Sequence, residues 1–236
     1  MDTKKYKLTE ETIIVNDKTL YRIEALKDFG NVKKGDKGGF IENENNLTQY
    51  GKCWVYDNAE VSGYAMVHNN ATVSGNAKVS GNAIIHEDAK VYGDAKVSGK
   101  AIVHDKAEIY DNAEVHGDAM VYENAKIYGN AKVSANAAVF GDAEVCGKAE
   151  VCDKAIICGN AIVANDSDYI VFKNWWSSGR YFTWTKSNNM WKVGCFHGTG
   201  KELIEKAYKD SEISGREYER VVKYVESIIA DNGKDN

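Results

Sequence analysis

The unit that decides the fold is visible at residues 77–82, which read Ala77-Lys78-Val79-Ser80-Gly81-Asn82. Valine or isoleucine stands at every sixth position from Val55 to Val163, which makes 19 consecutive sites. Alanine is equally regular, at 18 consecutive sites from Ala59 to Ala161. A period of six matches neither the 3.6-residue turn of an α-helix nor the 3.5-residue repeat of a coiled coil. The repeat therefore predicts short strands joined by regular corners.

Each hexad combines a core-facing strand with a sharp corner. Its alanine and its valine or isoleucine lie two positions apart, so in an extended strand both side chains point to one side, which must be the core. The last two positions are rich in glycine, asparagine and aspartate, as in Gly81-Asn82 and Gly93-Asp94. These residues tolerate the left-handed backbone that a sharp corner requires. Small inward residues suit a narrow prism whose coils stack in register.

The repeat resembles the left-handed parallel β-helix of the hexapeptide-repeat, trimeric LpxA-like superfamily. That resemblance implies a three-sided prism in which three hexads make one 18-residue coil. Residues 54–166 would then form about six coils, at ~4.8 Å per coil, in a solenoid roughly 30 Å long. The predicted fold class is mainly β, with a β-rich N-terminal cap over residues 1–53 and a small C-terminal α+β module over residues 167–236.

Three hexads per coil place residues 18 apart in columns, so the outward side chains can be sorted by face. The first, which we call the charged face, carries Glu60, Lys78, Lys96, Glu114, Lys132 and Glu150. The second, the tyrosine face, carries alternating charges beside Tyr92, Tyr110 and Tyr128. The charged face has the composition of an ordinary solvated surface.

The third face, which we call the histidine face, is apolar along its whole length. Such a strip is costly to leave in water, so we predict that a partner covers it. Closed symmetry favours a second or third copy of the chain, and the alternative is that the terminal modules fold back on this face. The predicted interface residues are Met66, His68, Ile84, His86, Ile102, His104, Met120, Tyr122, Phe140 and Ile156.

The histidines raise the question of catalysis. The superfamily that the repeat resembles includes trimeric acyltransferases, which use a histidine near a subunit interface as general base. If this chain is an enzyme, the resemblance makes His68, His86 and His104 the candidates. Against this reading, no insertion loop interrupts residues 54–166, and the repeat itself is not expected to fix a carboxylate beside the histidines. The sequence therefore favours a chain without catalytic residues.

The chain changes character after Asp166. The segments 169–172, 175–184 and 187–193 predict a three-stranded meander with two turns. Thr199 is predicted to cap a first helix, and Ser214 with Glu217 to form the capping box of a second. Part of the aromatic cluster must build the core of this module, and the rest could form a recognition surface, because Trp, Tyr and Arg dominate interaction hot spots. The predicted partner-binding residues are Trp175, Trp176, Arg180, Tyr181, Trp184, Trp191 and His197.

The cysteines and the glycine-rich loop do not predict a cofactor. Cys146, Cys152 and Cys158 are six apart, so each should lie on a different face, whereas a zinc site needs convergent sulfurs. Five cysteines in a chain of this length do not suggest a disulfide framework. The loop at 33–39 contains Gly38-Gly39, but its spacing matches no phosphate-binding motif. We therefore predict no metal and no bound cofactor.

Charge and hydropathy exclude some partners. Residues 55–166 hold 9 Lys and Arg against 16 Asp and Glu. A nucleic-acid surface needs clustered basic side chains, so nucleic acid is not an expected partner. The sequence shows no apolar signal segment and no apolar run that could cross a bilayer. We therefore expect a cytoplasmic protein without a membrane partner.

These observations favour an oligomeric, non-catalytic scaffold that positions its C-terminal aromatic modules against a partner. The segment from Leu20 to Trp54 and the C-terminal module resemble parts of uncharacterised bacterial and phage-encoded hexapeptide proteins. That resemblance implies a phage or prophage protein acting in the host cytoplasm on a host or phage protein. One form of this role is counter-defence, by blocking a host protein or sequestering a small signalling molecule. The alternative function is an acyl-CoA-dependent O- or N-acyltransferase.

Overall fold

A computed structural model describes residues 4–232, and the chain divides into two compact units, Met1–Asp166 and Ser167–Asn236. The first unit opens with strands β1 (Tyr6–Val15), β2 (Lys18–Ala25) and β3 (Lys37–Ile41), followed by a short 3-10 helix at Glu44–Asn46. β1, β2 and β3 pair antiparallel in that order. The predicted β-rich N-terminal region is therefore confirmed.

The repeat forms nineteen two-residue strands, one in each hexad. They are β4 (Trp54–Val55), β5 (Glu60–Val61), β6 (Met66–Val67), β7 (Thr72–Val73), β8 (Lys78–Val79), β9 (Ile84–Ile85), β10 (Lys90–Val91), β11 (Lys96–Val97), β12 (Ile102–Val103), β13 (Glu108–Ile109), β14 (Glu114–Val115), β15 (Met120–Val121), β16 (Lys126–Ile127), β17 (Lys132–Val133), β18 (Ala138–Val139), β19 (Glu144–Val145), β20 (Glu150–Val151), β21 (Ile156–Ile157) and β22 (Ile162–Val163).

Every third strand joins the same parallel sheet, which makes the three-sided solenoid. The charged face runs from β5 through β8, β11, β14 and β17 to β20, and β3 extends it at one end. The tyrosine face runs from β4 to β22, and the histidine face from β6 to β21. Residues 18 apart are partners, for example Ile84 with Ile102 and Lys90 with Glu108. The predicted 18-residue columns are confirmed.

The solenoid has about seven coils, one more than the sequence predicts. The additional coil precedes Trp54 and is irregular, which is why the six-residue period does not reveal it. Ile41 pairs with Val61 and Leu47 with Val67, both 20 positions later. From Val55 onward the partner is 18 positions away, at Val73. Two extra residues between Leu47 and Val55 break the period.

The glycines of the loop at 33–39 have a packing role. A Cβ on Gly38 would lie 2.5 Å from the carbonyl oxygen of Val55, and one on Gly39 would lie 2.5 Å from that of Ala59. Both glycines belong to β3, which must approach the next coil this closely to extend its sheet. Their lack of a side chain thus permits this close backbone packing. Lys37, in the same strand, forms an ion pair with Glu11.

The solenoid core consists of the repeated alanines and β-branched residues. All eighteen alanines are fully buried, and Ile85, Ile109 and Ile127 are among the largest side chains without exposed surface. The corners turn through left-handed backbone, with φ of 69° at Gly81 and 58° at Glu87. Small inward side chains let the three walls approach, and left-handed corners let the chain pass from one wall to the next.

The second unit is a four-stranded antiparallel sheet with two helices. Its strands are β23 (Tyr169–Lys173), β24 (Tyr181–Thr185), β25 (Met190–Val193) and β26 (Phe196–Gly198), and its helices are α1 (Gly200–Asp210) and α2 (Glu212–Asn232). β26 was not predicted. In the described chain, neither helix has the length and hydrophobicity needed to span a membrane.

One helix start was predicted correctly and the other was wrong. Thr199 caps α1 in a capping box with Glu202. Ser214, the predicted cap of α2, lies inside that helix, which begins at Glu212. Its backbone N–H donates to the Ser211 hydroxyl at 3.1 Å, so Ser211 provides the capping oxygen. α1 and α2 are therefore almost contiguous, and the sequence suggested a longer connection.

Replacing one fully buried isoleucine tests the core. We expect Ile109→Ala to lower the free energy of unfolding by about 2–5 kcal/mol, because the truncated side chain leaves a cavity that the rigid walls cannot close. Ile14→Ala is the control, since Ile14 is 78% exposed and its loss should change stability little. Chemical denaturation followed by β-sheet circular dichroism measures both, and equal effects would contradict this account of the core.

Candidate functional site

The histidine face carries a continuous ladder of stacked rings. The ring centroids of His68 and His86 are 5.0 Å apart, and those of His86 and His104 are 4.9 Å apart. Tyr122 and Phe140 continue the ladder at 5.1 and 4.8 Å, and the largest angle between neighbouring rings is 12°. The spacing is that of the coils, so the fold places these five rings in one line.

Beside the ladder runs a second column of apolar side chains. Met66 is 42% exposed and Met120 is 41% exposed, while Ile84, Ile102 and Ile156 are half-buried. The predicted interface residues therefore share one sheet and form one surface. Within a single chain this surface is a wall, with the histidine rings along one side.

Two carboxylates lie beside one of the histidines, and this corrects the expectation that the repeat supplies none. His104 Nδ1 is 3.2 Å from Asp105 Oδ2 and 3.6 Å from Glu87 Oε2. Asp105 follows His104 in the chain, and Glu87 occupies the equivalent corner one coil earlier. Of the three ladder histidines, His104 is the one with a described carboxylate oxygen within 4.0 Å of its ring nitrogens.

The corner backbone explains why these carboxylates reach the histidine. Glu87 and Asp105 adopt φ of 58° and 57°, which turns each side chain along the column toward the next coil. Glu87 Oε2 accepts a hydrogen bond from the backbone N–H of Asp105 at 2.9 Å. Asp105 Oδ2 accepts one from the backbone N–H of Glu123 at 3.0 Å. The carboxylates thus bridge successive corners and are held next to the ring.

These contacts also set the charges of the cluster. The hydrogen bond from the Glu123 backbone N–H lowers the pKa of Asp105 below its ordinary value, and the neighbouring histidines add to this effect. A carboxylate next to Nδ1 favours the tautomer that carries its proton there, which leaves a lone pair on Nε2. His104 therefore has the arrangement of an oriented base.

The other two histidines lack this arrangement. His68 Nδ1 lies 3.3 Å from the side-chain oxygen of Asn69, which is an amide instead of a carboxylate. Burial, followed by the charges of His104 and His68, lowers the pKa of His86. His86 is therefore held neutral between two rings, and His68 has a neutral partner.

A groove of about 510 Å³ runs along the corners beside the ladder. Four carboxylates line it, and the lining contains one basic side chain, that of Lys106, together with three asparagines. The carboxylates are Glu87, Asp88, Asp105 and Glu123. The columns of the histidine face are thus apolar, but a strongly acidic groove borders them. Assigning outward residues to faces from the sequence did not reveal this groove, because its lining residues lie at the corners.

No protein-family model matches the chain. Over 81 residues it is 38% identical to the uncharacterized acetyltransferase YdcK of Escherichia coli (strain K12). The parallel strands, the 18-residue register and the six-residue period of the sequence together define the type of solenoid. The solenoid is a hexapeptide-repeat β-helix. The matched stretch covers 30% of this chain and 25% of the relative.

The tyrosine face of the β-helix carries a second ladder. Tyr92, Tyr110 and Tyr128 stack with centroids 5.0 and 5.1 Å apart. The Tyr92 hydroxyl donates to Glu108 at 3.2 Å, and burial with this carboxylate raises the pKa of Tyr92 to about 12. These phenols stay protonated at neutral pH, which makes them structural groups and poor nucleophiles.

The three regularly spaced cysteines of the β-helix diverge, as predicted. Cys146 follows β19, Cys152 follows β20 and Cys158 follows β21, and these strands belong to three different sheets. All five cysteines of the chain are free thiols. The cysteine spacing therefore does not build a thiolate metal site.

The aromatic residues of the C-terminal module divide between its core and its surface. Trp184 and Trp191 are 3% and 2% exposed and pack with Phe182 in the core. They are therefore unavailable to a partner, which corrects their place in the predicted binding surface. Trp176 packs against the same core. Trp175 is 77% exposed, Arg180 and His197 are exposed, and Tyr181 is half-buried.

Two tryptophan substitutions test this division. Trp191→Ala should destabilise the module by about 3–5 kcal/mol because it empties the core, whereas Trp175→Ala should change its stability little. Thermal unfolding followed at 222 nm reports this module, because α1 and α2 are the α-helices of the described chain. Equal melting temperatures for the two variants would contradict the assignment.

Proposed function

We propose that the chain is a hexapeptide-repeat acyltransferase that works as a homo-oligomer and uses His104 as its general base. The observation that carries this proposal is the placement of His104 Nδ1 at 3.2 Å from Asp105 and 3.6 Å from Glu87. The expected absence of such a carboxylate was one of the arguments against an enzyme. The similarity to a protein named as an acetyltransferase supports the same reaction class.

The chemistry follows from the free lone pair on Nε2. In this proposal His104 takes the proton of an acceptor hydroxyl or amine as that atom attacks the carbonyl carbon of an acyl thioester. The carbon–sulfur bond then breaks, and the thiolate that leaves receives the proton back. Asp105 and Glu87 orient the ring and stabilise its positive charge while it holds the proton. The sequence and the site leave both O- and N-acyl transfer open.

A second copy of the chain would complete the site. One wall of the β-helix cannot enclose an acyl donor, and proteins of this fold commonly form trimers. The half-exposed methionines and isoleucines beside the ladder supply an apolar surface for that contact. The base would then lie at the edge of an interface, where a neighbouring chain can cover the donor and exclude water.

The assembly is tested by charging the apolar column. Ile84→Lys combined with Ile102→Lys should convert the oligomer to monomers, because buried lysines would face each other across the interface. Ser80→Lys with Ser98→Lys on the charged face is the matched control and should leave the oligomer intact. Sedimentation velocity at micromolar concentration measures the result, with circular dichroism confirming the β fold. A monomeric unsubstituted protein would contradict the assembly.

The reaction is tested by thiol release from acetyl-CoA with a panel of sugar and amine acceptors. His104→Gln should lower kcat/KM by about 10²–10⁴-fold, the usual contribution of a general base. Asp105→Asn should cause a smaller loss, since it weakens the orientation of the ring but leaves the base in place. His68→Gln is the control: it removes a ladder histidine that has no carboxylate partner, and it should change kcat/KM little. No acetyl-CoA binding by calorimetry would overturn the proposal.

A second candidate function is the binding scaffold that the sequence favoured, and the exposure of Trp175 supports it. In this reading the oligomer presents Trp175, Arg180, Tyr181 and His197 to a host or phage protein, or holds a small signalling molecule between chains. A chain that assembles but neither binds nor turns over acetyl-CoA would favour the scaffold over the enzyme.

A further inference from the structure

Glu87, His104 and Asp105 bring three metal-ligating groups to one point. One ligand atom from each residue lies within 4.8 Å of the other two. His104 Nδ1 lies 3.2 Å from Asp105 Oδ2 and 3.6 Å from Glu87 Oε2. Ligands bound at 2.0–2.2 Å to one tetrahedral ion are separated by about 3.4 Å. Both carboxylate oxygens therefore already lie from His104 Nδ1 at nearly the spacing that a single ion imposes.

We infer that these three side chains bind a first-row divalent transition-metal ion, and we take zinc as the representative ion. A nitrogen donor beside two carboxylate oxygens suits zinc, cobalt or nickel. Magnesium and calcium prefer oxygen donors alone, so an imidazole ligand disfavours them. The three residues come from two successive corners, and no linear sequence motif connects them.

The surroundings favour a cation and leave it accessible. Glu87 and Asp105 line the acidic groove, whose other charged side chains are Asp88, Glu123 and Lys106. The three ligands are half-buried, so solvent can reach an ion and water can fill its remaining positions. The groove thus supplies a negative field and an entry route at the same place.

The ligands are also held in position before an ion binds. Each carboxylate accepts a backbone N–H from the next corner, at 2.9 Å for Glu87 and 3.0 Å for Asp105. A carboxylate has about four lone-pair positions, so these bonds leave capacity for a metal. The ring of His104 is fixed by stacking on His86 and Tyr122. Supporting contacts of this kind orient metal ligands.

Metal binding would regulate the site, and this part of the inference rests on the proposed acyl transfer. A neutral imidazole carries one proton, so a metal on Nδ1 leaves that proton on Nε2. His104 then has no lone pair with which to accept a proton from the acceptor. The metal-free protein would be the active form, and zinc would inhibit it.

Calorimetric titration of the full chain with zinc chloride, without any acyl donor, tests the site. We expect saturable binding with one ion per chain, and little binding of magnesium. Glu87→Gln, Asp105→Asn and His104→Gln should each weaken binding at least tenfold, while both amide variants keep the oxygen that accepts the corner N–H. His68→Gln is the matched control and should bind zinc normally. The cobalt complex should lack the sulfur charge-transfer absorption that a cysteine site would show.

The outcomes separate the metal site from the enzyme. No binding, or binding unchanged in all three variants, overturns the metal site. Zinc binding with no acyl transfer in the metal-free protein overturns the proposed function and supports the site. Acyl transfer that zinc does not inhibit, with binding intact, overturns the regulatory part. Inhibition by zinc that Glu87→Gln relieves supports the whole inference.

Discussion

Backbone hydrogen bonds between successive coils hold each residue of the repeat next to the residue 18 positions away, and the other features of the solenoid depend on this register. Lys90 N–H, for example, donates to the Ala107 carbonyl at 2.9 Å, and the same pattern recurs in every coil. The register requires corners of constant length and an interior of constant width. Alanine with valine or isoleucine satisfies the second condition, and glycine, asparagine or acidic residues at left-handed φ satisfy the first.

The same register makes neighbours of side chains that are 18 positions apart in sequence. Successive side chains in each column therefore have to be chemically compatible with one another. On the charged face, Lys96 meets Glu114 at 2.9 Å and Lys132 meets Glu150 at 3.1 Å. Such exposed pairs contribute little stability individually. Lys78 and Lys96 are direct neighbours in this column, and each pairs with a glutamate on its other side, Glu60 and Glu114 respectively. Aromatic columns stack at the coil spacing. Four acidic corner residues accept a hydrogen bond from the N–H of the next corner, which gives them a structural role: Asp57, Glu87, Asp105 and Asp111.

The candidate site arises where two of these columns meet. Stacking fixes the ring of His104, and corner bonds fix the carboxylates of Asp105 and Glu87, so the cluster needs no dedicated loop. That is why the lack of insertions in the repeat is a weak argument against function. A single wall still cannot enclose a substrate, and the apolar column beside the ladder is the surface through which a second chain could do so. In the proposed enzyme, the general base His104 and the surface for subunit contact lie on the same face of the solenoid.

The sequence by itself determined the solenoid, its 18-residue columns, the contents of its three faces and the α+β character of the C-terminal module. The strict six-residue period predicted short strands and corners from residue type and spacing, and the resemblance to the hexapeptide-repeat superfamily supplied the three-sided section from which the columns and faces follow. Only the tertiary structure decided the rest. The irregular coil before Trp54 has no period to detect, and the burial of Trp184 and Trp191 depends on how α1 and α2 cover the sheet. The approach of Glu87 and Asp105 to His104 depends on left-handed corners, whose side-chain direction a pattern of residue types does not contain.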